Sequence, residues 1–267
     1  MLQVTGINIF PIKSCGGVRA DRAEVEARGL AGDRRFMLVD GNGRFMTQRK
    51  CPALALVRVS RNEHGWLIEA PGQEPLVLRA PPEYAATKRV RIWRGIVEAS
   101  IATPEINEWF TAYTGTQCRL AYMEEHQHRA VPHASAEFDD EVSFADGAPL
   151  LVISEASLRD LNGRLANAVT MDRFRPNIVI DGSEPYEEDG WKRIRIGEAE
   201  LAVSWPCARC IMVTIDPVTG VPDRAGEPLE TLKTYRRRGR GVYFGQNVIA
   251  RRLGAIRVGD AVEVIRE

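Results

Sequence analysis

Six residues, Trp205-Pro206-Cys207-Ala208-Arg209-Cys210, place two thiols and a fixed cation in one short stretch. A guanidinium beside a thiol favours the thiolate, the form that binds a soft metal or attacks sulfur. The C-x-x-C pair has four readings. A zinc site normally takes two further Cys or His ligands, and Cys15, Cys51 and Cys118 stand alone, so no second pair exists. A thioredoxin-like dithiol belongs at a helix start, whereas Ile211-Met212-Val213-Thr214-Ile215 is rich in β-branched residues and predicts a strand. Two plain buried cysteines are the third possibility. A single functional thiolate is the fourth, and the one carried forward.

Other polar groups cluster in ways that could bind an anion. Lys13-Ser14 follows Pro11 and precedes Gly16-Gly17, an anion-binding corner or a surface turn. Arg34-Arg35 behind Gly32-Asp33 could grip phosphate bidentately or sit in water. Arg173-Phe174-Arg175-Pro176-Asn177 could aim an Arg and an Asn into a cleft, or simply lead into a strand. Asp146-Gly147 reads as a turn, and Tyr235-Arg236-Arg237-Arg238-Gly239-Arg240 as a solvated loop or a phosphate site. His64, His126, His128 and His133 form no metal triad, and His126-x-His128, in a polar loop, is expected at the surface. Nucleophile-elbow, Walker, zincin, Rossmann and ferredoxin cysteine patterns are absent.

Short strands and turns must position these groups. Val4 to Phe10, Phe36 to Val39, Leu56 to Val59, Trp66 to Ile68, Leu76 to Leu78 and Val90 to Trp93 read as strands, with Asp40-Gly41-Asn42-Gly43 turning into a return strand at Arg44 to Thr47. Thr103-Pro104 opens a helix that ends near Gly115. The polar stretch from Glu124 to Asp146 predicts a long loop between domains. Beyond it, Pro149 to Ile153 reads as a buried strand, and Ser154 caps a helix with Leu158, Leu161 and Leu165 on one stripe. Strands follow at Ile178 to Ile180, Ile194 to Ile196, Leu201 to Val203, Ile211 to Ile215, Val242 to Phe244 and Val262 to Ile265, with a short helix at Glu227 to Leu232. The expected fold is mainly β (α+β), two β-barrel-like domains with a few short helices, over residues 1–123 and 124–267.

Composition narrows the partners. Thirty-six basic and thirty-six acidic residues give the chain no net charge, so no nucleic-acid partner is expected. No apolar run approaches the ~20 residues that span a bilayer, and the start lacks signal-peptide character. No membrane association, a cytoplasmic location and reduced thiols are expected.

Taken together and in order, these segments resemble the MOSC (molybdenum cofactor sulfurase C-terminal) family. The N-terminal part of the resemblance rests on Pro11 to Gly17, Gly32 to Val39 and Thr47-Gln48-Arg49, which are similar to the barrel that precedes MOSC domains. The C-terminal part rests on Phe144 to Gly147, Arg173 to Ile180, Cys207 to Cys210, Glu227 to Leu232, Phe244 to Asn247 and Val258-Gly259-Asp260. The chain is most similar to the branch typified by the mitochondrial amidoxime reducing component and its bacterial counterparts, which reduce N-hydroxylated compounds.

The resemblance implies a molybdenum-molybdopterin cofactor (Moco), with Cys210 as its protein ligand and catalytic centre. Arg209 is implied as a neighbour of the cofactor. Lys13, Ser14 and Arg35 would hold the pterin or its phosphate, and Asp146, Arg175 and Asn177 would contact it from the second barrel. Cys207 is not expected to bind metal. Bacterial relatives can carry an added [2Fe–2S] module, so electrons are expected here from a separate ferredoxin- or cytochrome-type donor protein, with a small N-hydroxylated substrate. The alternative is a non-catalytic cofactor or sulfur carrier that uses a Cys210 persulfide, and a third is an interaction protein with inherited barrel packing.

Overall fold

The computed structural model describes residues 1–265, so the last two residues of the second expected domain lie outside it. The chain is mainly β: nineteen strands in four sheets and three α-helices are present among the described residues. The largest sheet runs in the order Val262–Ile265, Arg193–Ile196, Ala199–Ala208, Gly241–Arg252, Leu150–Ser154, Ile178–Asp181, Gln3–Ile9 and Val18–Ala20, and Arg237–Arg238 pairs with Gly241–Arg252 off this path. Among the described residues no regular ladder joins its ends. A single bridge, Gln3 to Ala261, and the bond from Val262 N to the Leu2 carbonyl (3.0 Å) draw them together.

The first strand of the chain thus completes a sheet built mostly from the second half, pairing antiparallel with Ile178–Asp181. In return, Gly254–Arg257 pairs with Arg22–Glu26. Leu150–Ser154 is buried along its whole length because it lies inside the sheet, parallel to Ile178–Asp181 and antiparallel to Gly241–Arg252. That double coverage explains its unbroken apolar run. One core cluster takes Phe36 and Leu120 from the first half together with Ile194, Leu201 and Val248 from the second. A four-stranded sheet, in the order Phe36–Asp40, Cys118–Tyr122, Gly95–Ala102 and Tyr84–Ile92, and a three-stranded one, Arg58–Asn62, Gly65–Glu69 and Leu76–Leu78, belong to the first half.

Helix α1 (Pro104–Thr114) starts with Pro in its first turn and stops at Gly115, whose φ of 64° suits glycine. Helix α2 (Glu155–Asn162) is capped by Ser154, whose hydroxyl accepts from Ser157 N. Helix α3 spans Leu229–Tyr235, two residues later than its sequence start predicts.

Several expectations need correction. Ile211–Thr214 forms a turn of 3-10 helix, not a strand; the strand lies before it, Ala199–Ala208, and swallows Trp205 to Cys207. The β-branched run misleads because Val213 and Thr214 are buried by tertiary packing, which overrides local preference. Leu165 lies past the end of α2 and packs on the same cluster from a loop. The return arm at Arg44 to Thr47 makes isolated bridges only, Phe45 to Val39 and Arg44 to Arg91, because the strand Tyr84–Ile92 sits close enough to share its hydrogen bonds.

Candidate functional site

A cavity of about 1200 Å³ opens where loops from both halves of the chain meet. The loop after Gln3–Ile9 supplies Lys13 and Ser14, and the turn after Tyr84–Ile92 supplies Trp93 and Arg94. The second half supplies Asp146, the Arg173 to Asn177 segment and the end of the strand Ala199–Ala208 with Cys207, Arg209 and Cys210.

Cys210 precedes the 3-10 turn in extended backbone, and its Sγ accepts a hydrogen bond from Arg49 Nη2 at 3.2 Å. Arg49 also lies 3.6 Å from the Asp146 carboxylate and stacks on Trp93, 5.0 Å from the ring centre. Cys207 belongs to Arg209 instead: Arg209 Nη1 donates to Cys207 Sγ at 3.1 Å and Nη2 to the Phe174 carbonyl at 2.8 Å. Both cysteines are half-buried free thiols lining the cavity, each with its own guanidinium. A strand end followed directly by a tight turn separates their roles.

Lys13 is buried and donates from Nζ to the Phe144 carbonyl (2.8 Å) and to Asp146 Oδ1. Burial pushes its ammonium down to about 8, with Asp146 pulling the other way. Burial would raise the Asp146 carboxyl in turn, but Lys13 and then Arg49 hold it well below the usual carboxylate range. Ser14 takes a φ of 69°, which a non-glycine residue adopts only under constraint, and its carbonyl accepts from Gln48 Nε2 at 2.7 Å. Gly16 follows where a Cβ would meet the Val57 carbonyl at 2.7 Å, so only glycine fits.

Arg175 also has a positive φ, 55°; its Nη1 donates to the Cys15 carbonyl at 2.6 Å and its guanidinium covers the Phe10 ring. Burial, and then the neighbouring Arg34, bring it down to about 9. Asn177 is fully engaged: Oδ1 accepts from Arg34 Nη1 and Leu151 N, and Nδ2 donates to the Asn8 carbonyl. It ties three strands together beneath the cavity and positions Arg34.

Arg35 is the one expected site residue that does not line the cavity. It turns the other way, donating to the Met123 carbonyl (2.8 Å) and to Glu125 (2.7 Å). Its neighbour Arg34 lines the cavity instead, anchored by Asp33 at 2.5 Å. Sequence reasoning also passed over Arg49, quoted in a motif without a role, and Arg129, which hides in the polar loop and donates to the Ser143 and Ala145 carbonyls. His133, given no role by the sequence, is exposed and stands in the cavity wall, stacked on Trp205 at 3.9 Å and 6°.

The electrostatics set the class of ligand. Nine Lys and Arg side chains line the cavity against one carboxylate, Asp146, among the described residues. Because the whole chain is neutral, this is a local concentration of positive charge, suited to a polyanion. Arg175 Nη2 and Arg209 Nε are buried without a hydrogen-bond partner, a costly state that a ligand acceptor would relieve. No three His, Cys, Asp or Glu side chains cluster among the described residues, so a metal here would draw most of its ligands from an organic group.

The profile of the MOSC N-terminal beta barrel domain matches residues 1–117, and that of the MOSC domain matches residues 139–263. The chain belongs to the MOSC family. Among its MOSC relatives, rat mitochondrial amidoxime reducing component 2 is 37% identical over 280 residues, covering 97% of this chain and 82% of the relative. Human mitochondrial amidoxime-reducing component 1 is 36% identical over 274 residues, covering 96% and 81%. A molybdenum cofactor sulfurase from rice is 32% identical over 263 residues, covering 91% of this chain but 32% of that protein. The rat and human names are mitochondrial, which overturns the cytoplasmic expectation. That expectation came from the lack of a targeting pattern at the start, a local feature that says nothing of where related proteins work. No described helix is long and apolar enough to cross a membrane.

Proposed function

We propose that this MOSC chain is a molybdenum-cofactor-dependent reductase of small N-hydroxylated compounds, supplied with electrons by a separate donor protein. One observation carries the reading: one of two cavity thiols, Cys210, is held by Arg49 in a large cavity whose charged side chains are almost all cationic. A soft metal chelated by an organic dithiolene accepts one protein thiolate and keeps positions open, and a phosphorylated pterin needs cations along its tail. The residues present fit such a group, since the orphaned Arg175 and Arg209 nitrogens are donors awaiting an acceptor.

In this reading Lys13, Ser14, Arg175 and Arg209 bind the cofactor, Asp146 keeps Lys13 and Arg49 in place, and Asn177 acts through Arg34. Arg34 takes the part that family resemblance gave to Arg35. The bound group supplies two-electron oxygen-transfer chemistry. For an amidoxime the balance is simple: the N–O bond breaks, two electrons arrive from the donor, two protons are taken up, and amidine and water leave.

The test is chain produced in a cofactor-competent host, assayed for molybdenum, pterin and benzamidoxime reduction with reduced methyl viologen. Parent chain and Cys207→Ser should carry metal and turn over, while Cys210→Ala should lose both. Metal-free parent chain with no turnover after reconstitution overturns the reading. So does a sulfur adduct on Cys210 without molybdenum, the mark of a persulfide carrier.

A further inference from the structure

Beside the cavity mouth the hairpin Tyr84–Ile92/Gly95–Ala102 presents an unusual row of charges. Its register pairs Arg91 with Ile96 and Arg89 with Glu98, and Arg44 bridges Arg91 from the other side. Backbone bonds fix that bridge, from Phe45 N to the Arg91 carbonyl (3.0 Å) and from Arg91 N to the Gly43 carbonyl (2.7 Å). Directly paired residues project to the same face, so Arg44, Arg91 and Ile96 form a continuous row that ends in the cavity lining.

Arg44, Arg89, Arg91 and Arg94 are all exposed, and none makes an ion pair among the described residues. Arg44 beside Arg91 is a like-charge pair, which destabilises a sheet, whereas Arg89 stands opposite the exposed Glu98; folding gives no reason for the Arg44 and Arg91 pair. Composition gives none either, since the chain is neutral overall.

At the centre stand two exposed apolar side chains, Trp93 (47%) and Ile96 (48%). Trp93 reaches inward as well, donating from its indole N–H to Asp146 Oδ1 at 3.2 Å and stacking under Arg49, the residue that holds Cys210. An apolar centre with a charged rim is the anatomy of a protein interface. Small, charge-steered contacts are typical of redox encounters.

We propose that this face, Arg44, Arg89, Arg91 and Arg94 around Trp93 and Ile96, docks an acidic electron-transfer protein. The proposal rests on the reductase reading above and adds to it where the donor sits and what charge it carries. The donor's carboxylates meet the arginine row, and its redox centre comes to rest over Trp93, at the entrance that leads to Cys210.

A plant-type [2Fe–2S] ferredoxin, which is acidic, serves as the probe, with basic cytochrome c as the counter-probe. Titration of holoprotein at low ionic strength should show ferredoxin binding that weakens with added salt, and no cytochrome c binding. Arg44→Gln, Arg89→Gln and Arg91→Gln combined should weaken ferredoxin binding about tenfold or more. Benzamidoxime reduction driven by methyl viologen should be unchanged in that variant. Equal ferredoxin binding by parent and variant overturns the proposal. So does tighter binding of phosphatidylserine vesicles or of a single-stranded oligonucleotide than of ferredoxin. If methyl viologen drives no reduction but ferredoxin binding still depends on the three arginines, the reductase reading falls and the docking face stands.

Discussion

At the scale of single residues, the division of labour between two cysteines three positions apart comes from which guanidinium each meets. Arg49 is the donor to Cys210 Sγ, and on the reductase reading, where that sulfur would ligate the metal, such a hydrogen bond would tune and retain it. Arg49→Met should therefore lower molybdenum retention during dialysis by ~10–100-fold, with Arg49→Lys intermediate. Lys13 makes a pH prediction whose sign is fixed by burial. Its folded value of about 8 lies below its ordinary 10.5, so it is charged in both folded and unfolded chain below about 8. Between those values only the unfolded chain keeps the proton, so this residue's contribution to stability rises with pH across that window. Anion binding runs the opposite way. On the reductase reading, pterin retention should fall as pH climbs through about 8, and Lys13→Met should remove that step. Residue types left this corner open, because a cation, a hydroxyl and glycines after a strand end read as an anion-binding corner or as a surface turn; the order of the motifs along the chain is what groups them. The choice between Arg34 and Arg35 was not legible. Arg34 has a φ of 49°, which breaks strand alternation at the corner, so no two-residue period says which side chain faces inward.

At the scale of elements, local signals were readable wherever capping chemistry set the boundary. Ser154 shows why: its hydroxyl satisfies the Ser157 N–H and also donates to Glu188, a carboxylate with no exposed surface. Ser154→Ala should destabilise the protein by about 1–2 kcal/mol through the lost cap. The buried Glu188 would lose a donor as well, which adds to that cost. Urea denaturation should show a lower midpoint at unchanged slope. The segment after Cys210 shows the opposite case. Its residues favour a strand, yet the chain turns because Thr214 Oγ1 and Val213 N bond back to Ile211 and Cys210. Nothing in residue type announces a turn made by tertiary burial. The consequence is functional, since a continuing strand would carry Cys210 along the sheet, whereas the turn leaves it at the cavity.

At the scale of the whole molecule, the two halves exchange strands, so the sequence boundary in the polar loop is not a boundary between separate sheets. Residues 124–267 expressed alone would lack Gln3–Ile9, leaving Ile178–Asp181 an open edge. That fragment should aggregate, and co-expression with residues 1–123 should restore soluble complex, as judged by gel filtration. The mainly β character was visible in short apolar runs, but strand exchange pairs residues from 171 to 235 positions apart, beyond the reach of any local pattern. A final consequence follows from the crowding of nine cations around one carboxylate. Asp33, Asp216 and Asp189 answer Arg34, Arg173 and Arg238 from outside the lining, and a bound polyanion would offset the positive excess that remains. On the reductase reading, cofactor binding would thereby be linked to resistance against proteolysis. If that reading holds, the amount of this protein should decline in cells deprived of molybdate, its turnover being governed by nutrient supply.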